Sequence, residues 1–373
     1  MKTGVLPDRR IRELMAQGVI LNADPNLVNA SSLDLRVDND RWKLLGSFLP
    51  YAHERIEDAL ESQEIVDDHS HKSTFYVDLL QQYAMKLVES LNLPASITAR
   101  IFNKSGRGRI GVSLRGLTDN TPYFDVIRSG YTGALYAEVS STCFPLVIHS
   151  GATAIPQIRF YEGNPEPLSG SQLELLLRSH PILTDNNGNS SYNEDEKRQI
   201  IRSGKLTFTA DIPPEGLQAY VAKRNKRTLD LSKKSSYRPS DYFAEVSASN
   251  GERVIVVHPG DFVLVKSKEN IRLPPFVAAE IDEYSPQLGD MKSHYAGLVN
   301  ASHGYDPDRT NIPSHIVFEI RARDQPLIIR DGQNLARFDL YSMWGEPEAR
   351  YMETRSTGFA DLPSILPNIF KKD

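Results

Sequence analysis

Residues 97–112, ITARIFNKSGRGRIGV, place Lys104, Ser105, Arg107 and Arg109 around Gly106, Gly108 and Gly111, directly after a strand-like run. Glycines let backbone N–H groups approach an anion closely, and Lys and Arg add charge-assisted donors. Two arginines at i and i+2 can grip a polyphosphate whose charge exceeds what one cation balances. The alternative is a solvated basic turn on an acidic protein. Glu138 lies in GALYAEVSS, where Leu135, Ala137 and Val139 alternate with Ala134, Tyr136 and Glu138 as in a strand. A Glu is rarely buried without a partner. Partial desolvation raises its pKa and makes it a usable general base, whereas an ion pair with an arginine would make it structural. Tyr131, between Gly130 and Gly133, offers an aromatic face to a sugar or base, or else is plain core.

Composition narrows the chemistry. The 373 residues contain one cysteine, Cys143. It forms no internal disulfide, which fits a reducing compartment. Nor can it supply the His/Cys/Cys set of the zinc nucleobase deaminases, whose signature needs PCxxC. The closest histidines, His69 and His71 in DDHSHKS, read as solvated loop residues rather than metal ligands. A net charge of −5 and a pI near 6.0 provide no basic field for a nucleic-acid polymer or an acidic membrane. Free nucleotides need only a few local cations. No run of about 18 apolar residues occurs and the start lacks an apolar signal core, so a soluble, unexported protein of the cytoplasm is expected.

The elements that would position these groups are mostly strands. Ile11, Leu14 and Met15 form the apolar stripe of one early helix, with Asp8 as its cap and Gly18 as its left-handed end. Elsewhere short runs bounded by turn residues dominate: SSLDLRV, ALYAEV, PLVIH, QIRFY, RVIVV, DFVLVK, HIVFEI and PLIIR. They predict β-sandwich or jelly-roll-like barrels. The chain also repeats itself. LNLPASITARI resembles IRLPPFVAAEI, with Pro94 and Pro274 separated by 180, and YAEVSSTCFPLVIHSG resembles FEIRARDQPLIIRDG, with Glu138 and Glu319 separated by 181. SSLDLRV is echoed by RTLDLS. The polar stretch LTDNNGNSSYNEDEKRQI between the copies reads as a linker. The expected division is a first domain over 1–165, a linker or surface excursion over 166–205, and a second domain over 206–373.

The order KSGRGRIG, GYTG, LYAEV, then a Gly and QIRF, resembles the dCTP deaminase branch of the dCTP deaminase/dUTPase superfamily. LPDRRIRELMAQGVI followed by NASSLDLRV is similar to that family's opening helix and first strand. The likeness covers residues 5–162, with a weaker copy at 206–345, in the layout of the long two-domain bacterial form. It implies a mainly β fold of tandem dUTPase-like distorted barrels with few short helices. It also implies a homo-oligomer with active sites at domain or subunit interfaces, and hydrolytic deamination of dCTP to dUTP and ammonia without zinc, Mg²⁺ arriving only with the triphosphate. By position in the motifs, Glu138 matches the catalytic glutamate. Ser105 and Arg109 match the residues that orient water and pyrimidine, and Lys104 stands where the family has a phosphate-gripping arginine. Gly106, Arg107 and Gly108 continue that substrate loop. Tyr131 matches the aromatic beside deoxyribose, Tyr136 and Ala137 the backbone that reads the base, and Gln157 a glutamine near the phosphates.

The chain also departs from the pattern. Arg128 stands where the family has the aspartate that meets the sugar 3′-hydroxyl, leaving Asp125 as a substitute, and Gly106 replaces a serine. At offset 180, Lys104, Ser105 and Arg109 become Tyr284, Ser285 and Gly289. The second copy therefore keeps Glu319 but lacks the cations, and reads as a domain that serves assembly or completes a neighbour's site. The tail GFADLPSILPNIFKKD could fold over a site. Competing functions are a dUTP diphosphatase or a bifunctional enzyme, and a non-catalytic nucleotide-binding scaffold; dTTP is a candidate effector.

Overall fold

A computed structural model describes residues 2–61, 67–68, 72–224, 226–248, 251–282, 291–292, 297–308, 312–349 and 365–372. His69, His71, Tyr284, Ser285, Gly289 and residues 358–364 of the tail lie outside the described residues.

β-Branched and aromatic residues at period two build two barrels of antiparallel strands. In the first, the strand order runs Val126–Ile127, Ile97–Asn103, Ala154–Glu162, Ser32–Leu44, Gln82–Asn92, Thr132–Ser141, Val112–Leu117. The sheet curls so far that Ile97–Asn103 and Val112–Leu117 lie side by side. The approach is tight: a Cβ on Gly116 would run into the Ile101 side chain. In the second barrel the order Phe243–Ala248, Gly216–Ala222, Val263–Ile271, His315–Ala322 faces the group Leu206–Thr209, Asn334–Ser342, Val277–Ile281, Leu298–Val299. Every strand expected from the sequence lies within or overlaps an observed one.

The repeat is structural. Ile97–Asn103 and Val277–Ile281 start 180 residues apart, as do Ala154–Glu162 and Asn334–Ser342, and Leu146–His149 and Leu327–Arg330 start 181 apart. Register agrees too: Glu138 pairs with Ala84 across one ladder, and Glu319 with Leu264 across the other.

Two expectations need correction. Residues 166–205 are not a linker or excursion. They form helices Gly170–Ser179 and Glu194–Ser203, and Leu173, Leu176, Leu177 and Ile200 enter the second barrel's core. The polar letters that suggested a linker do local work: Asn193 and Glu196 make a reciprocal capping box, and Gly204 ends the helix at φ 73°. The second domain thus begins at about residue 166. Nor is Asp8 a helix cap, since Pro7 holds that position. Asp8 instead accepts from Glu348 N at 2.9 Å and Ala349 N at 3.1 Å, tying the opening helix to the second half. Gly18 does take the left-handed conformation, at φ 71°.

The halves meet along a buried seam. Arg159 has no exposed surface; it donates to Ala279 O and Val299 O at 2.9 Å each, and to Glu280 Oε1 at 3.1 Å. Tyr161 also donates to Glu280. Apolar packing adds Phe144 against Tyr242 and Phe243, with ring centroids 5.3 and 5.5 Å apart. Removing one member of a buried pair strands the other charge at a cost of about 3–5 kcal/mol. Arg159→Met should therefore lower the unfolding free energy by about that much in urea titration. Adding Glu280→Gln should cost far less than the two single changes summed, because the stranded charge is gone.

Candidate active site

The basic segment is one turn of helix, Ser105–Gly108, entered from the strand Ile97–Asn103 and leaving through Gly111 into Val112–Leu117. Its glycines do not leave an open loop. Arg107 N and Gly108 N both donate to Lys104 O at 2.9 Å, and Arg109 N donates to Ser105 O at 3.0 Å, so those amides close the turn rather than point outward. The tightness is set at Gly111, at φ 77°, where a Cβ would strike Cys143 Sγ. The side chains carry the cation chemistry instead. Lys104 is ion-paired with Asp34, whose other oxygen accepts from Asn29 Nδ2 at 3.1 Å. Gln157 lies opposite Asp34 in the ladder and donates to Asn103 O at 3.0 Å. Arg107 donates to Ala154 O and to Leu231 O of the second half, 3.2 Å each. Burial lowers its guanidinium to about 10, which leaves it charged at neutral pH.

Arg109 is buried and also reaches across the seam. It donates to Ile365 O at 3.4 Å, which sets the first described residues of the tail beside the basic turn. His303 of the second half lies close by. Burial, then the charge of Arg109, holds its imidazole down to about 4.

Glu138 belongs to a different surface. It is 2% exposed and shares with Tyr136 the face of Thr132–Ser141 that turns away from the barrel core, where Leu135, Ala137 and Val139 sit. Residues 45–61 cover that face. Phe48 N donates to Glu138 Oε2 at 3.2 Å, Ser47 and Gln82 also donate to the carboxylate, and Ile56 and Leu60 pack beside Tyr136. Burial raises the Glu138 pKa, with those donors and Arg115 pulling the other way. Tyr136 donates to Glu57 at 2.9 Å, and Tyr131 to Ala134 O. Both phenols are pushed up, by burial first. Asp125 is engaged by Gly116 N at 2.6 Å and by Arg115 at 3.0 Å, within its own turn. The strand carrying Tyr136 and Ala137 is flanked on both edges, so neither backbone lies on an open sheet edge.

The structure therefore gathers the expected residues into two groups. Lys104, Ser105, Gly106, Arg107, Gly108, Arg109 and Gln157 stand at or beside the seam. Glu138 and Tyr136 stand on the covered outer face, Asp125 is held in its own turn, and Ala137 and Tyr131 pack with the barrel core behind that strand. Register measures the separation: Glu138 sits opposite Arg115, six residues beyond Arg109. Sequence reasoning missed Asp34, Arg115, Gln82 and His303. Asp34 occupies a strand recognised in the sequence and could have been found by asking what faces Lys104; Arg115 lies on Val112–Leu117, a strand the sequence reading did not pick out, and His303 carries no local signal. Among the described residues, no three His, Cys, Asp or Glu side chains converge as a metal-ligand set.

Comparison with known proteins gives this geometry a family. The model for the N-terminal domain of 2′-deoxycytidine 5′-triphosphate deaminase (DCD) matches residues 2–164, and that for its C-terminal domain matches residues 181–361. The chain belongs to the dCTP deaminase family. A curated relative from Methanoregula boonei, named dCTP deaminase, dUMP-forming, is 28% identical over 163 residues, 42% of this chain and 81% of the relative. The crystal structure of 2′-deoxycytidine 5′-triphosphate deaminase from Agrobacterium tumefaciens superposes with a TM-score of 0.81 at 29% identity, covering 92% of this chain and all of that one. That agreement spans both halves of the chain.

Two measurements check the burial on which this site depends. Burial pushes the Cys143 thiol up to about 12, so it should resist a thiol reagent at pH 8 and react only on denaturation. His303 stays neutral in the folded protein down to about pH 4, while its unfolded value is 6.5. Its contribution to stability is thus fully present above pH 6.5 and lost as pH falls toward 4. Urea titrations should show a pH-dependent loss of roughly 2–3 kcal/mol across that window that is absent in His303→Asn.

Proposed function

We propose that this protein deaminates dCTP to dUTP and ammonia. The observation that carries the reading is the pairing of two features in one dCTP deaminase-family chain. A turn presents Lys104, Ser105, Arg107 and Arg109, and a buried glutamate occupies the matching strand position of each barrel, Glu138 in the first and Glu319 in the second.

The chemistry follows from those groups. A desolvated carboxylate takes a proton from water as the water oxygen bonds C4 of cytosine. The water's two protons end on N3 and on the departing amine, the C4–N4 bond breaks, and ammonia leaves with the carboxylate regenerated. Arg109 and Ser105 orient the water and the ring, and Arg109 stabilises charge developing on the added oxygen. Lys104 and Arg107 meet the triphosphate. Lys104 binds as a point charge released from Asp34, and Mg²⁺ enters with the nucleotide. No zinc takes part. Assembly as a homo-oligomer and a cytoplasmic location accompany this reading; among the described residues no helix is long and apolar enough to cross a membrane.

A second reading is favoured by the Methanoregula boonei relative, which is named as dUMP-forming: the same site would then also release pyrophosphate. Incubation with dCTP separates the outcomes. Ammonia with dUTP as product fits deamination alone, ammonia with dUMP and pyrophosphate fits the bifunctional enzyme, and no ammonia sinks both. Arg109→Ala should lower kcat by about 10²–10³, while a zinc chelator with Mg²⁺ present should leave turnover unchanged.

A further inference from the structure

Two glutamates hold the base position, and the two halves treat them differently. In the first half, the chain that leaves the strand Ser32–Leu44 folds back as residues 45–61 over the Glu138 face, and Ser47 and Phe48 bond the carboxylate. In the second half, the equivalent chain leaves Gly216–Ala222 and departs. Its short strand Leu229–Asp230 pairs in parallel with Leu146–His149 of the first barrel, and Leu231 O meets Arg107. Beside Glu319, Val317 and Leu264 join Tyr242 of that excursion in one apolar cluster with Phe144 of the first barrel and Phe370 of the tail, so the Glu319 side packs into the seam.

Packing links that face to the basic turn. Val317, Glu319 and Arg321 alternate on one face of His315–Ala322. Val317 on one side, and Leu264 across the ladder, belong to the apolar cluster continuous with Phe144, Ile110 and Cys143 of the first barrel. Arg321, on the other side, lies near enough to Cys143 to act on its thiol. Cys143 in turn packs on Gly111, two residues beyond Arg109. His303 approaches Arg109 from the same half. Glu319 is itself 1% exposed. It is thus flanked by residues that reach the seam where the basic turn lies, whereas Glu138 is on the outer face.

We propose that the carboxylate acting with Ser105 and Arg109 within one chain is Glu319, so that the two halves build a single composite site. This rests on the deamination reading above and names its base. Glu319 takes one proton from water as the oxygen bonds C4 and passes it to N3; the remaining proton of the added hydroxyl goes to the amine, the C4–N4 bond breaks, and ammonia leaves with the carboxylate regenerated. The second barrel supplies the base and the first supplies the cations, which accounts for a second copy that keeps its glutamate but lacks the Lys104 and Arg109 equivalents.

The test compares full-length Glu319→Gln and Glu138→Gln, measuring ammonia release from dCTP and equilibrium binding of dCTP. Glu319→Gln should lose at least 10³-fold in kcat with dCTP affinity within about threefold, a loss exceeding that of Glu138→Gln by tenfold or more. Glu319→Asp covers the case in which the amide variant fails to fold; it should melt like the unmodified chain and turn over slowly. Mixing Arg109→Ala chains with Glu319→Gln chains should restore nothing, because each chain carries its own broken site. Full turnover by Glu319→Gln, or substantial recovery on mixing, overturns the proposal while leaving dCTP deamination standing. An unmodified chain that releases no ammonia overturns both.

Discussion

A guanidinium with no surface cannot stay charged unless protein groups replace its water, and Arg159 finds them in the other half of the chain. Its partners Ala279 O, Val299 O and Glu280 lie 120 or more residues away. Because that desolvation is tolerable only with every bond in place, the barrels are held in one arrangement rather than tethered loosely. The consequence reaches the chemistry. The strand that carries Arg159 also carries Gln157, which is paired with Asp34, the partner of Lys104. Fixing the seam therefore fixes where the basic turn stands relative to His303 and the Glu319 face.

The two barrels show how one fold yields unlike surfaces. Their ladders coincide at offsets of 180 and 181, yet the chain leaving the second strand of each runs in opposite senses, back over its own barrel in the first half and across the seam in the second. Composition supplies a reason. Residues 45–61 carry Phe48, Ile56 and Leu60, enough apolar surface to close over Tyr136. The corresponding segment carries Leu229 and Leu231, which complete the first barrel's core instead. Burial of a few side chains, each contributing roughly 1.5–3 kcal/mol, is enough to choose between the two paths.

Much of this was legible in the sequence. Period-two runs and their punctuation located strands, the repeat located two barrels, and motif order located the residues that the family resemblance singles out. The failures share a cause. Asn193, Glu196 and Gly204 read as linker because polar letters were weighed by composition, when each satisfies a helix terminus while Leu173, Leu176 and Ile200 supply the buried side. Asp8 read as a cap because its bonds to residues 348 and 349 are long-range. The glycine-rich turn read as an open anion loop because sequence does not show that Arg107 N and Gly108 N are already spent on Lys104 O. Which glutamate faces which cation depends on how two barrels meet, and no local pattern encodes that.

The loss of one set of cations is then intelligible in physical terms. A turn bearing Lys104, Arg107 and Arg109 places three positive charges where burial is already enough to weaken a guanidinium. That cost is recovered only when a polyanion or a carboxylate faces them. Two barrels in one chain share one seam, and the first barrel's turn stands at it. At the positions 180 residues on, Tyr284 and Gly289 replace Lys104 and Arg109, while Glu319 persists. The composite site asks for that division, cations from one barrel and a carboxylate from the other, and the repeat's asymmetry in charge matches it.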